Sequence, residues 1–170
     1  MQPFRYLAAF ASIAVLALLA ALPWGLPPQD RFFLPMLPVV AIHFWSLRHP
    51  GLVPEWYVFV TGFLLDVLTH GPLGYWPLVY VSAHVMGVLS APYASRGVTM
   101  RLALFAAALI SVTVLSWLIA SLYFLERADA GPYTIGGALA ALSAVVLIPL
   151  LNALDPDMGT RENVRLERGI

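Results

Sequence analysis

Long apolar runs, interrupted by brief charged clusters, make up nearly the whole chain. Arg5, Asp30–Arg31, Arg48, Glu55, Asp66, Arg96 to Arg101, Glu126 to Asp129 and the stretch from Asp155 mark the interruptions. A bilayer core is crossed by roughly 20 apolar helical residues. The pattern therefore predicts an all-α membrane protein, a bundle of six transmembrane helices over 7–26, 32–47, 52–68, 73–92, 102–125 and 134–154. Residues 155–170 are left as a tail. The second and third segments are short and carry Pro35, Pro38 and Pro54. One of them is expected to stand upright, kink or be partly re-entrant.

Composition sharpens this reading. Of 170 residues, 61% are hydrophobic and 11% charged, with a mean hydropathy of +0.84. Soluble domains carry about 25% charged residues. The net charge of zero offers no basic face for nucleic acid. No cysteine is present, which removes disulfides, thiol catalysis and cysteine metal sites. All nine basic residues are arginines. The loops are too short for a soluble catalytic domain, so any enzymatic partner would be another polypeptide.

Arginine also sets an orientation. With both termini cytoplasmic, Arg5, Arg48, Arg96, Arg101, Arg161, Arg165 and Arg168 lie inside, and only Arg31 and Arg127 outside. This is the positive-inside pattern, and it fits an even number of spans. Phe32, Phe33, Tyr75, Trp76, Tyr123 and Tyr133 are expected at the outer boundary, and Trp45, Trp56 and Tyr57 at the inner one. Arg5 before an apolar run reaching Ala20 and Ala21 also has the outline of a cleaved leader. A chain beginning outside would break the arginine pattern.

Membrane helices associate through small residues that let backbones approach. Candidate packing positions are Ala8 and Ser12 on the first helix, Ala103, Ala107 and Ser111 on the fifth, and Gly137, Ala141 and Ala144 on the sixth. Packing within the chain is expected rather than a subunit interface. Ser116 and Ser121 are expected to bond their own helix carbonyls.

Asp66 is the acid well inside a predicted span, and an ionisable group there is a functional hypothesis in itself. It precedes a sharp reversal, Thr69-His70-Gly71-Pro72-Leu73-Gly74. Gly71 suits a left-handed position after a helix and Pro72 stops that helix. Gly74 allows a second close backbone approach. Gly62, Asp66 and His70 fall four apart on one face, so Gly62 is expected to leave room beside Asp66 and His70 to reach back to it. Asp66 then bonds His70, Thr69 or amides opening the next helix, or it serves partner binding directly. The two roles are compatible.

The stretch Gly62-Phe-Leu-Leu-Asp66-Val-Leu-Thr-His70-Gly71-Pro72-Leu73-Gly74 resembles the signature region of MreD, the bacterial rod shape-determining membrane protein family. Specific residues match only from about Gly62 to Tyr80; elsewhere the likeness is one of hydropathy and length. The resemblance implies a non-enzymatic inner-membrane component of the cell-wall elongation complex. Its implied partners are the membrane protein MreC, the MreB filament, RodA and a class B penicillin-binding protein. It also implies a fold like the six-helix substrate-binding subunits of vitamin-uptake transporters. A small-molecule-binding transporter subunit is therefore the alternative function, with a polar pocket near the 62–74 turn, and a lipid-facing assembly factor without ligand is a third.

Other candidates carry less. His43 and His84 are expected to be hydrogen-bonded packing residues, with Tyr80 placed to pair with His84. His43, His49, His70 and His84 have no metal-ligand spacing, so neither a metal nor another cofactor is expected. Hydrolase-elbow and zincin motifs are absent. No acid pair suggests metal-assisted chemistry. The tail, with Arg161, Arg165 and Arg168 beside Glu162 and Glu167, is expected to be solvated and topology-setting rather than a filament or lipid contact.

Overall fold

The computed structural model describes residues 2–25, 27 and 32–155. Among these the chain is helical throughout, with α1 over Gln2–Ala21, α2 over Phe33–Arg48, α3 over Glu55–Thr69, α4 over Tyr75–Ser90, α5 over Val98–Tyr123 and α6 over Gly131–Leu154. A short 3-10 helix, Ala91–Arg96, prolongs α4. The first helix ends at Ala21, short of the expected residue 26, where Pro23 follows and restricts the residue before it. Leu26 lies outside the described residues, as does the tail from residue 156 with its three arginines.

Among the described residues, three helices are long and apolar enough to cross a membrane: Pro3–Ala21, Val98–Tyr123 and Gly131–Leu154. The chain thus has transmembrane helices. The others are shorter, with 16, 15 and 16 residues in α2, α3 and α4. Their shortness has a visible counterpart in packing. Twelve residues of α2 are buried, covering all its faces. A helix that is apolar all round belongs inside a protein.

Five helices surround it. Going round, α1 packs on α3, α3 on α4, α4 on α5, α5 on α6, and α6 returns to α1. The central α2 packs against α1, α4, α5 and α6. Trp45, expected at the membrane boundary, is therefore fully buried in this core. Its indole nitrogen donates to Ser12 Oγ on α1 at 3.0 Å.

Side-chain hydrogen bonds tie the ring to its centre. Tyr57 Oη donates to the Phe10 carbonyl (2.6 Å), joining α3 to α1. Tyr80 Oη donates to the Pro35 carbonyl (2.9 Å), joining α4 to α2. Ser46 and His84 pair at 2.8 Å across the same interface. Tyr80 therefore does not take the expected role of pairing with His84. Inside an apolar bundle such bonds satisfy groups that have no water to turn to. His43, also on α2, is buried, and neither ring nitrogen has a hydrogen-bond partner among the described residues. The expectation of a bonded packing histidine holds for His84 and not for His43.

The small-residue faces sit differently from expectation. Ala103 and Ala107 are exposed and Ser111 is half-buried. The buried face of α5 is instead Ala108, Val112, Ser116 and Ala120, rotated by one position. A spacing of four fits several faces of one alanine-rich helix, so spacing alone did not select the inner one. On α6, Gly137 and Ala144 are buried, whereas Ala141 is exposed and Ala140 takes its place. A β-carbon at Gly137 would lie 2.6 Å from Thr113 Oγ1, so this glycine is where α5 and α6 touch. Ser116 and Ser121 bond the carbonyls of Val112 and Trp117 in their own helix.

Candidate functional site: the Asp66 turn

The site begins with a helix that must end. Leu65 and Asp66 are fully buried, while Val67, Leu68, Thr69 and His70 are exposed. At His70 the backbone becomes left-handed (φ 55°), closing α3. The Gly71 amide then donates to the Asp66 carbonyl at 2.9 Å and the His70 amide to that of Val67 at 3.4 Å. Histidine thus occupies the left-handed position expected for Gly71. Because the chain leaves the helix there, His70 no longer shares a face with Asp66, and its side chain points to the exterior. The expected Asp66–His70 contact does not form.

The Asp66 carboxylate turns instead to the start of α4. Its Oδ2 accepts the Gly74 amide at 2.7 Å, and its Oδ1 accepts the Trp76 amide at 3.1 Å. Among the alternatives open at the sequence level, the one observed is a bond to amides opening the next helix. Gly74 is the residue before α4, with φ 92°, a conformation glycine adopts without penalty. It has no side chain to cap its own helix, so a carboxylate eight residues earlier does so.

Two helix dipoles meet at this carboxylate. The end of α3 presents partial negative charge and disfavours it; the start of α4 presents partial positive charge and donates hydrogen bonds. Only the second has amides within bonding distance. Charge-assisted bonds from backbone amides are among the stronger ones in proteins. Asp66 thereby fixes the angle between α3 and α4 and the path of the turn.

Gly62 sits where α3 meets the start of α4. A β-carbon there would stand 2.5 Å from the Pro77 nitrogen and 2.7 Å from the Trp76 carbonyl carbon, both backbone atoms. The glycine lets the first turn of α4 lie directly on α3, next to the Trp76 amide that Asp66 binds. Pro77 has no N–H to lose at this contact. A β-carbon added at Gly71 would meet only ordinary contacts, 3.4 Å from Thr69 Oγ1 and 3.9 Å from Asp66 Oδ1. Pro72 is half-buried and accepts the Tyr75 amide at 3.1 Å, while Leu73 projects with 63% exposure. The turn is a rigid loop with an apolar tip.

Beside it, at the same end of the bundle, six helix ends surround a cavity of about 710 Å³. Trp24, Phe32, Trp76, Phe124 and Tyr133 supply aromatic walls, and Thr69 and Asp129 supply polar groups. Phe32 contacts the Tyr133 and Trp76 rings at centroid distances of 4.6 and 5.5 Å. The cavity is more aromatic than the polar pocket expected for a transporter subunit. No three His, Asp or Glu side chains gather in a metal-binding group among the described residues.

Sequence reasoning missed the opposite end. Asp155 was expected to open a solvated tail, yet its side chain is 2% exposed. Arg5 Nε stands 3.7 Å from Oδ1, while Arg48 Nη1 and His49 Nε2 stand 3.4 and 3.0 Å from Oδ2. This group fastens the end of α6 to the start of α1 and the end of α2. The signal available in sequence was an acid directly after an apolar helix, with arginines of opposite charge at the same expected level.

No family model, curated protein or solved structure matches this chain. The likeness to MreD therefore rests on the Gly62–Tyr80 residues and on the hydropathy profile.

Proposed function

We propose that this protein is a non-enzymatic membrane scaffold of the MreD kind, acting in the bacterial inner membrane as part of the cell-wall elongation complex. In this reading all six helices span, and both termini are cytoplasmic. The chain binds an MreC-like membrane protein and links the MreB filament to RodA and a class B penicillin-binding protein. The observation carrying the proposal is the buried Asp66 carboxylate on the Gly74 and Trp76 amides. It gives the MreD-like segment one fixed shape and holds Leu73 outward, as a surface for recognising a partner requires. Arg5 and Arg48 at the other end agree with a cytoplasmic face.

Co-expression of the tagged chain with the MreC-like protein of its host, followed by purification in mild detergent, tests this. A stoichiometric complex is expected, weakened by Asp66→Ala. A folded Asp66→Ala variant that binds normally removes the turn from the interface.

The aromatic cavity supports a second reading, a small-molecule-binding subunit of a transporter. Its volume of about 710 Å³ lies in the range of ligand pockets. Thermal stabilisation by a solute, saturable and abolished by Trp76→Ala, is the expected sign. A broad solute screen without any stabilisation removes this reading.

A further inference from the structure

The ring of helices is uneven in height, and the low side is α3. On its outward face Trp56, Phe59, Phe63, Leu64, Val67 and Leu68 are all exposed, between the exposed polar residues Glu55 and His70. From Trp56 to Leu68 this band measures about 18 Å at 1.5 Å per residue. On α5 the outward apolar band from Leu102 through Ile110 to Leu122 measures about 30 Å by the same rise. A typical hydrocarbon core is about 30 Å thick. One flank of the molecule thus matches the bilayer, while the other falls short by roughly 12 Å.

Neither sequence nor packing offers α3 a way to lengthen. Pro54 precedes it, the left-handed His70 ends it, and Gly62 and Asp66 lock it against α4. Tilting would reduce its height further. Residues flanking a short helix relieve mismatch by reaching toward the headgroups, but Glu55 and His70 are too short for a gap of about 6 Å at each end.

We infer that the protein thins the bilayer along its α3 flank, the lipid there adopting the height of the Trp56–Leu68 band. This rests on the reading that α3 spans the membrane. The ligand of this surface is a locally compressed lipid layer, and the protein is expected to favour membrane regions where such compression is already present.

The absence of cysteine makes the test direct. Single-cysteine variants Trp56→Cys, Leu68→Cys, Leu102→Cys and Leu122→Cys, spin-labelled, are placed in phosphatidylcholine vesicles with 18-carbon chains. Collision with a water-soluble relaxation agent reports the depth of each label. Equal depth at all four positions, within about 2 Å of the polar boundary, is the expected result on a bilayer of this thickness. Trp56→Cys and Leu68→Cys labels lying about 6 Å deeper than the α5 pair overturn the inference. So does one shallow and one deep α3 label, the mark of rigid tilt. Dipolar broadening at α3 would place a second copy there and overturn it too. Glu55→Cys and His70→Cys tested with an impermeant maleimide separate this outcome from failure of the spanning reading. Modification from opposite sides keeps α3 as a span; modification of both from one side removes the span and the inference with it.

Discussion

Two buried aspartates stand at opposite ends of this molecule, and each is neutralised differently. Asp66 takes its hydrogen bonds from backbone amides within ten residues of itself. Asp155 is held by side chains of Arg5, Arg48 and His49, more than a hundred residues away. The amides at α4 exist whatever the side chains are, so the Asp66 turn is a local device that one residue completes. The Asp155 group is a tertiary device, built only when α1, α2 and α6 have already converged. The first sets the shape of a loop, and the second holds helix ends together.

The sharpest way to break this contrast is Asp66→Ala. It leaves the half-buried Gly74 amide and the buried Trp76 amide without their acceptor, at a cost of about 4 kcal/mol from two charge-assisted bonds. A large drop in the thermal unfolding midpoint in detergent is expected. Asp66→Asn keeps acceptor capacity and should lose about half as much. Next comes Gly62→Ala, whose added carbon meets α4 backbone that cannot yield. About 3 kcal/mol of destabilisation is expected, with the α3–α4 amides exchanging hydrogen faster.

Asp155→Ala should cost less, about 2 kcal/mol, because the arginine side chains around it are 18–20% exposed and partly screened. Salt separates the two sites. Raising ionic strength from 0.05 to about 0.5 M should narrow the difference between wild type and Asp155→Ala while leaving the Asp66→Ala deficit unchanged. The smallest effect is at His70. His70→Gly relieves a left-handed residue and is expected to raise stability by about 0.5 kcal/mol, read as a higher unfolding midpoint. A decrease would mean that the exposed imidazole has a partner of its own in the folded protein.

The same contrast explains what the sequence made legible. Helix positions followed from uninterrupted apolar runs, and α2 and α6 begin and end within three residues of expectation. The Asp66 turn was visible because all its parts lie within fifteen residues. Its wiring was not, since a four-residue spacing assumes that the helix continues through His70, and it does not. Nothing local in the sequence marks Asp155 as buried, because its partners are remote along the chain. The central place of α2 was hidden for the same reason. A short apolar segment has one composition whether it faces lipid or other helices, and only the assembled ring distinguishes them. The inward face of α5 differs from Ala103, Ala107 and Ser111 by a single step of rotation, which an alanine-rich sequence does not encode sharply.

Co-purification with the MreC-like protein, comparing wild type, Leu73→Glu and Asp155→Ala, tests the central claim most directly. Leu73 is an exposed tip residue whose replacement leaves the Asp66 bonds in place, while Asp155 belongs to the other end of the bundle. The scaffold account predicts a stoichiometric complex that Asp155→Ala retains and Leu73→Glu loses. A monodisperse wild-type protein that captures no partner, or a complex indifferent to Leu73→Glu, would contradict it.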